Sequence, residues 1–116
     1  MSPTLVTGPD GKLVLITGSP GGSDIIGYVV KTLVAMLDWK MGPQQAAALP
    51  NFLNRNGPTE LEAGAAPLDA LAPGLEALGH KVARRDMTSG INTVAVTPAG
   101  LAGGTDPRRE GEAAGY

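Results

Sequence analysis

Six residues, Gly18–Ser23, read GSPGGS and divide an apolar run ending at Thr17 from a helical pattern beginning at Ile25. The chemistry of interest lies in Gly21 and Gly22. Two adjacent glycines at a helix start present backbone N–H groups with no side chain in the way, and the helix dipole adds partial positive charge. Such a pair can hold an anion, or stabilise the oxyanion that develops during acyl transfer. The same residues also suit a tight strand-to-helix turn that needs glycine for positive φ. The pattern leaves both readings open. Three named motifs do not fit. No Gly-Lys-Ser/Thr follows, which removes the P-loop. Thr17 stands where a nucleophile elbow around Ser19 needs glycine. Pro20 stands where the dinucleotide fingerprint needs its second glycine.

Other reactive residue types are sparse. The chain has no cysteine, which excludes disulfides, thiol catalysis and cysteine-based zinc sites. One histidine, His80, cannot build a histidine metal cluster. It follows a C-cap glycine and has no evident acid partner, so it reads as a half-exposed structural residue. Asp38, Glu60 and Glu62 show no spacing that marks a paired acid and base, and they read as surface or capping carboxylates. Thr4, Thr17 and Thr88 are internal, so none has the α-amine that activates an N-terminal threonine. No metal and no cofactor is expected.

Composition narrows the class. The 116 residues are 42% hydrophobic and 17% charged, which suits a packed interior rather than a disordered chain. Aromatics make up only 3%, so the core must rest on Leu, Val, Ile and Ala. A net charge of −2 with no basic stripe gives no reason to expect nucleic acid. The pairs Arg84-Arg85 and Arg108-Arg109 read as solvated charge. The longest apolar segment, Ile25 to Leu37, is interrupted by Lys31 and is too short to span a bilayer. The N-terminus has neither a basic n-region nor an apolar h-region, so no signal peptide is expected.

The elements that must hold the loop follow from local patterns. Leu5-Val6 and Leu13–Ile16 are β-prone and flank Pro9-Asp10-Gly11, a turn. The second run is continuously apolar, which predicts a strand covered on both faces. Apolar residues at 25, 26, 29, 30, 33, 34 and 37 predict a helix, with Ser23 as N-cap and Asp24 in its first turn. Ile25, Val29, Val30, Leu33 and Leu37 are expected to pack on the sheet. Gly42-Pro43 starts a second helix that Pro50 closes. "NFLNRNGPTELEAG" reads as an ordered loop with a short strand at 60–63. Leu68, Leu71, Leu75 and Leu78 outline a third helix, weakened by Pro73-Gly74 and ended by Gly79. "HKVARRD" and "INTVAVT" read as strands joined by "MTSG", and "LAGGTD" as a further strand.

"MSPT", "GSPGGSDII", "LDW…MGPQQAAALPNF", "PTELE", "ALGHKV" and "DPRREGEAAGY" occur in one order and spacing. Together they resemble the C-terminal end of the small subunit of gamma-glutamyltransferases, also called gamma-glutamyltranspeptidases or glutathione hydrolases, over essentially the whole chain. The resemblance implies an α+β fold. It would form part of the αββα sandwich of N-terminal-nucleophile hydrolases, an antiparallel sheet packed with helices. Residues 1–116 would be a single incomplete domain of the small subunit. In that family a precursor cleaves itself, and the new N-terminal threonine takes the gamma-glutamyl group from glutathione and passes it to water or an amino acid. The glycines that match Gly21 and Gly22 supply the oxyanion hole.

The resemblance also implies what lies elsewhere. The nucleophilic threonine, the serine pair before "MSPT" and the groups that hold the glutamyl amine belong upstream. The α-carboxylate arginine belongs to the large subunit. Ser2 matches a family serine by position but is not one of that pair. The partners implied are the rest of the small subunit, the large subunit and, in the complete enzyme only, glutathione or another gamma-glutamyl substrate. The chain alone is expected to be inactive and to self-associate. Asp106-Pro107-Arg108 is expected to be a structural ion pair and turn. The sequence departs from the family at Asp24, where Arg is common, and at Asn51. It names no compartment for this chain; bacterial members are often periplasmic or secreted. A non-catalytic reading, a stand-alone remnant or partner-binding module, stands beside the enzymatic one.

Overall fold

The computed structural model describes residues 1–115, which form two compact units; Tyr116, the last residue of the family-like "DPRREGEAAGY", lies outside them. The first unit comprises Met1–Leu49 and the segment from Thr88 onward. Its first strands, β1 (Thr4–Thr7) and β2 (Leu13–Gly18), pair antiparallel across the predicted turn. There the Lys12 N–H donates to Asp10 Oδ1 at 3.0 Å, and Gly11 takes φ +77°. That is the local chemistry expected of Asp-Gly in a tight turn. The helices α1 (Ile25–Leu37) and α2 (Pro43–Ala48) follow. The unit closes with β6 (Asn92–Thr97) and β7 (Gly100–Thr105), and its sheet has the order β1-β2-β6-β7 with every pair antiparallel.

The helices cover one face of this sheet. Leu15, Thr17, Thr93 and Gly104 are buried beneath them. A Cβ at Gly104 would run into the Pro43 backbone, so α2 lies directly on β7. The Gln44 amide then bonds the Thr105 backbone twice: Nε2 donates to its carbonyl at 2.9 Å, and Oε1 accepts from its N–H at 3.1 Å.

Two expectations fail here, both concerning which face is covered. β2 is not enclosed on both sides: Val14 and Ile16 are exposed, as are Leu5 (68%), Val96 and Leu101 (76%). Register places these side chains on the face away from the helices, because Leu5 is opposite Ile16, Ile16 opposite Val94, and Val96 opposite Leu101. The stretch from Glu112 to Gly115 approaches that face. It edges a depression of about 1010 Å³ over Ile16, Val94 and Leu101. On α1, Val30 (52%) and Leu37 are exposed instead of packed, while Tyr28, Val29, Lys31, Thr32 and Ala35 are buried. α1 carries two adjacent apolar ladders, and periodicity alone does not choose which meets the sheet. Lys31 is accommodated because its Nζ donates to the Leu49 carbonyl at 2.9 Å.

The second unit spans Pro50–Met87. Its sheet has the order β3-β4-β5, from β3 (Phe52–Asn54), β4 (Thr59–Glu62) and β5 (Val82–Arg85). β3 and β4 are antiparallel, and β4 and β5 are parallel, joined through α3 (Ala66–Ala77). Leu61, Leu68 and Ala72 form its core, flanked by Ala65, Leu75 and Val82. β3 is a strand where a loop was expected. β5 and β6 are not a hairpin, since they belong to different sheets. Pro73 is accommodated without breaking α3. The helix ends as Gly79 predicts: with φ +95°, the Gly79 N–H donates to Glu76 O and the His80 N–H to Leu75 O, both at 3.0 Å.

Candidate functional site

The loop after β2 is held at its front and open at its back. Ser19 is buried; its N–H donates to the Met1 carbonyl at 3.1 Å, and its hydroxyl donates to the Pro20 carbonyl at 2.7 Å. The backbone then enters conformations that favour glycine. Gly21 has φ +137° and Gly22 φ +62°. At Gly21 an added Cβ would lie 2.6 Å from Tyr28 Cε2, whereas at Gly22 it would meet open space. Gly21 is therefore required for both its torsion and its room, whereas Gly22 is favoured by its torsion alone. A short 3-10 turn, Gly22–Asp24, leads into α1, closed by the Asp24 N–H on the Gly21 carbonyl at 3.2 Å. Among the described residues, neither the Gly21 nor the Gly22 N–H has an acceptor. Two adjacent donors are thus unpaired at the mouth of a 13-residue helix.

The helix start differs in detail from expectation. Ser23 lies inside the 3-10 turn, and Asp24 occupies the N-cap of α1 without a side-chain capping bond. The Tyr28 hydroxyl faces Asp24 Oδ2 at 3.5 Å.

A second group of residues lies against the front of the loop. The Gly90 N–H donates to Ser19 Oγ at 3.0 Å, and a Cβ on Gly90 would sit 2.7 Å from Pro20 Cγ. Ser89 donates its hydroxyl to Asp106 Oδ2. The Ile91 N–H donates to the same oxygen at 3.2 Å, and the Asp106 N–H returns a bond to the Ile91 carbonyl at 2.8 Å. Asp106 Oδ1 accepts from the Arg108 N–H at 3.0 Å and from Arg108 Nη1 at 2.9 Å. The Arg108 fork continues to the carbonyls of Ala47 and Leu49. Asp106 is 3% exposed. Burial by itself would raise its pKa, but the bonds from Ser89, Arg108 and Ile91 outweigh it and hold the carboxyl below 3.8. Arg108 is thus an anchored structural cation, not solvated charge, as the ion-pair reading of Asp106-Pro107-Arg108 anticipated. Ser89 was not anticipated: one serine in "MTSG" carries no signal of its own.

The remaining candidates do not converge. Thr4 Oγ1 donates to the Ser2 carbonyl at 3.0 Å, Thr17 is buried on the helix side of β2, and Thr88 offers its carbonyl to Arg109. Asp38 caps the C-terminus of α1. In the second unit Glu60 pairs with Arg85 and Arg55, and Glu62 accepts the Asn51 N–H at 2.6 Å. Arg84 pairs with Asp69. Arg84-Arg85 is therefore ion-paired on both members. His80 is exposed, with its Nδ1 at 2.8 Å from Thr59 Oγ1. Among the described residues no group of three His, Cys, Asp or Glu can hold a metal ion, and no helix is long and apolar enough to cross a membrane.

Comparison with known proteins adds an independent observation. Residues 1–116 match the gamma-glutamyltranspeptidase family profile. The chain is 42% identical over 111 residues to the glutathione hydrolase proenzyme of Escherichia coli (strain K12), covering 93% of this chain and 19% of that one. It is 37% identical over 129 residues to the glutathione hydrolase proenzyme of Pseudomonas sp. (strain A14), covering 100% and 22%. The chain thus spans about a fifth of the length of these curated relatives. A solved structure of the Pseudomonas nitroreducens gamma-glutamyltranspeptidase complexed with L-DON superposes with a TM-score of 0.85 at 26% identity, covering 100% of this chain and 62% of that one.

Proposed function

Because this chain belongs to the gamma-glutamyltranspeptidase family, we propose that it serves as the oxyanion-hole segment of an N-terminal-nucleophile acyltransferase. The α+β fold with antiparallel pairing is that of the solved relatives. In the complete enzyme the hydroxyl of an N-terminal threonine attacks the gamma-carbonyl carbon of glutathione or a related amide. The C=O bond opens and its oxygen takes the negative charge. The Gly21 and Gly22 N–H groups donate to that oxygen. The tetrahedral intermediate collapses, the amine leaves with a proton, and water or an amino acid then releases the acyl group. Each such donor is worth about 3 kcal/mol of barrier, because it is fixed in place before charge develops.

One observation carries this reading: two adjacent amides at positive φ, both without acceptors among the described residues, at a helix mouth. Amides at a helix start that no protein acceptor occupies are available to an incoming oxyanion. The test is an assay of the complete enzyme on a chromogenic gamma-glutamyl anilide beside the isomeric α-glutamyl anilide. Turnover of the first is expected, with none from the 116-residue chain alone. Absence of turnover by the complete, processed enzyme on any gamma-glutamyl amide would reject the reading.

The partners on this reading are the remainder of the small subunit and the large subunit. The exposed row of Leu5, Val14, Ile16, Val96 and Leu101 supports it, since monomers seldom leave a whole apolar sheet face bare. Isolated, the chain covers this face by self-association. Sedimentation velocity over a wide concentration range is expected to show dimers or larger species; a stable monomer throughout would count against it.

A further inference from the structure

Asp106 is bonded on every side by groups that do not touch the glycine loop, yet the bonds lead to it. Its Oδ2 holds the Ser89 hydroxyl and the Ile91 N–H. These two bonds fix the residues on either side of Gly90. The Gly90 N–H in turn reaches 3.0 Å to Ser19 Oγ, and its Cα face lies against the Pro20 ring with no room for a Cβ. Arg109 closes the other side: its Cδ lies 2.8 Å from where that Cβ would be, and its guanidinium donates to the Thr88 carbonyl. Ser19 and Pro20 immediately precede Gly21. Among the described residues, the other bonds on this front end are Ser19 N–H to Met1 O and the Ser19 hydroxyl to Pro20 O. Ser19, Ser89, Gly90, Ile91 and Asp106 are all buried, so each bond is shielded from competing water.

Resting on the oxyanion reading above, we propose that Asp106 and Ser89 are positioning residues of the oxyanion hole. They set the 88–91 turn that clamps Ser19-Pro20 and thereby aims the Gly21 and Gly22 amides. The clamp matters because the Gly21 and Gly22 N–H groups have no acceptor among the described residues, and the bonds that their carbonyls accept, from the Asp24 and Ile25 N–H groups, tie them to the helix side of the loop and leave its front to Ser19-Pro20. A shift of about 1 Å in a catalytic group costs up to roughly a hundredfold in rate.

The test uses the complete, processed enzyme and compares Asp106→Asn, Ser89→Ala, Ser19→Ala and the Ser19→Ala/Ser89→Ala double variant. Asp106→Asn disturbs the Arg108 ion pair as well and is the variant most prone to misfolding, so Ser89→Ala decides. Measured well below its melting temperature, Ser89→Ala is expected to lower kcat by about tenfold to a hundredfold with KM nearly unchanged. A purely structural role would lower the melting temperature and leave kcat in the cold untouched, which overturns the proposal. Ser19→Ala should behave alike, and the double variant should lose less than the product of the single losses, because both act along one path. Multiplicative losses also overturn it. Gly21→Ala separates this from the parent reading. If Gly21→Ala lowers kcat and Ser89→Ala does not, only the positioning role fails. If Gly21→Ala leaves kcat normal, the oxyanion reading fails first.

Discussion

Gly21→Ala in the complete enzyme is expected to lower kcat by about a hundredfold or more, while Gly22→Ala has a much smaller effect. The two glycines are neighbours, but their constraints differ. At φ +137° the backbone of Gly21 lies outside the regions open to residues with a Cβ, and that Cβ would sit 2.6 Å from the Tyr28 ring. Tyr28 is buried and cannot step aside. The loop must therefore move, and both unpaired amides move with it. Gly22, at φ +62°, occupies the left-handed helical region that other residues enter at a cost of about 1 kcal/mol, and a Cβ there meets nothing. An oxyanion donor acts mainly after charge has developed, so the Gly21 loss should fall on kcat more than on KM. Steady-state kinetics and melting curves of the processed variants decide the matter. A folded, processed Gly21→Ala enzyme with normal kcat would remove the oxyanion role. Equal losses for the two alanine variants would remove the geometric account of it.

The largest expected effect on stability is at Arg108. Arg108→Met leaves the Asp106 carboxylate, 3% exposed, without its cation, and also frees the Ala47 and Leu49 carbonyls. Breaking a buried pair by removing one partner costs about 3–5 kcal/mol, most of it the penalty of an uncompensated buried charge. Hydrogen exchange of the 88–108 segment in the complete protein reads this locally, as a fall in protection of about two to four orders of magnitude. The pH dependence has a definite sign. The native pKa of Asp106 is lowered from 3.8, so its contribution is fully present above 3.8 and is lost as the pH falls through the native value. The gap between wild type and Arg108→Met should be widest near neutral pH and shrink below about pH 3.8. A gap under about 1 kcal/mol at pH 7, or one that is the same at pH 3, would show that the pair is not what anchors this segment.

Much of the fold was legible locally. The β1–β2 turn, the start of α2 at Pro43, its stop before Pro50 and the Gly79 ending of α3 each depend on a few adjacent residues. The glycine loop was legible too: glycine is what the torsion at 21 requires and what the torsion at 22 favours, and GSPGGS announces both. The failures share a different cause. "FLN" became strand β3 because β4 offered it an antiparallel partner. β5 and β6 parted because β5 found β4 while β6 found β2 and β7. Val30 and Leu37 became exposed because Tyr28, Thr32 and Ala35 took the buried face of α1.

By itself, then, the sequence determined where backbone amides would stand free of side chains, where helices would start and stop, and, through its ordered motifs, the family. Tertiary structure decided which apolar surfaces were covered and what holds the amides in place. Ser19 and Gly90 are 71 residues apart, and Ser89 and Asp106 are 17 apart. A torsional preference is a property of one residue and its neighbours, so it can be read in place. A buried hydrogen bond between distant segments exists only after the sheet has brought them together. The serine, glycine and aspartate that form it are, before that, ordinary residues of ordinary loops.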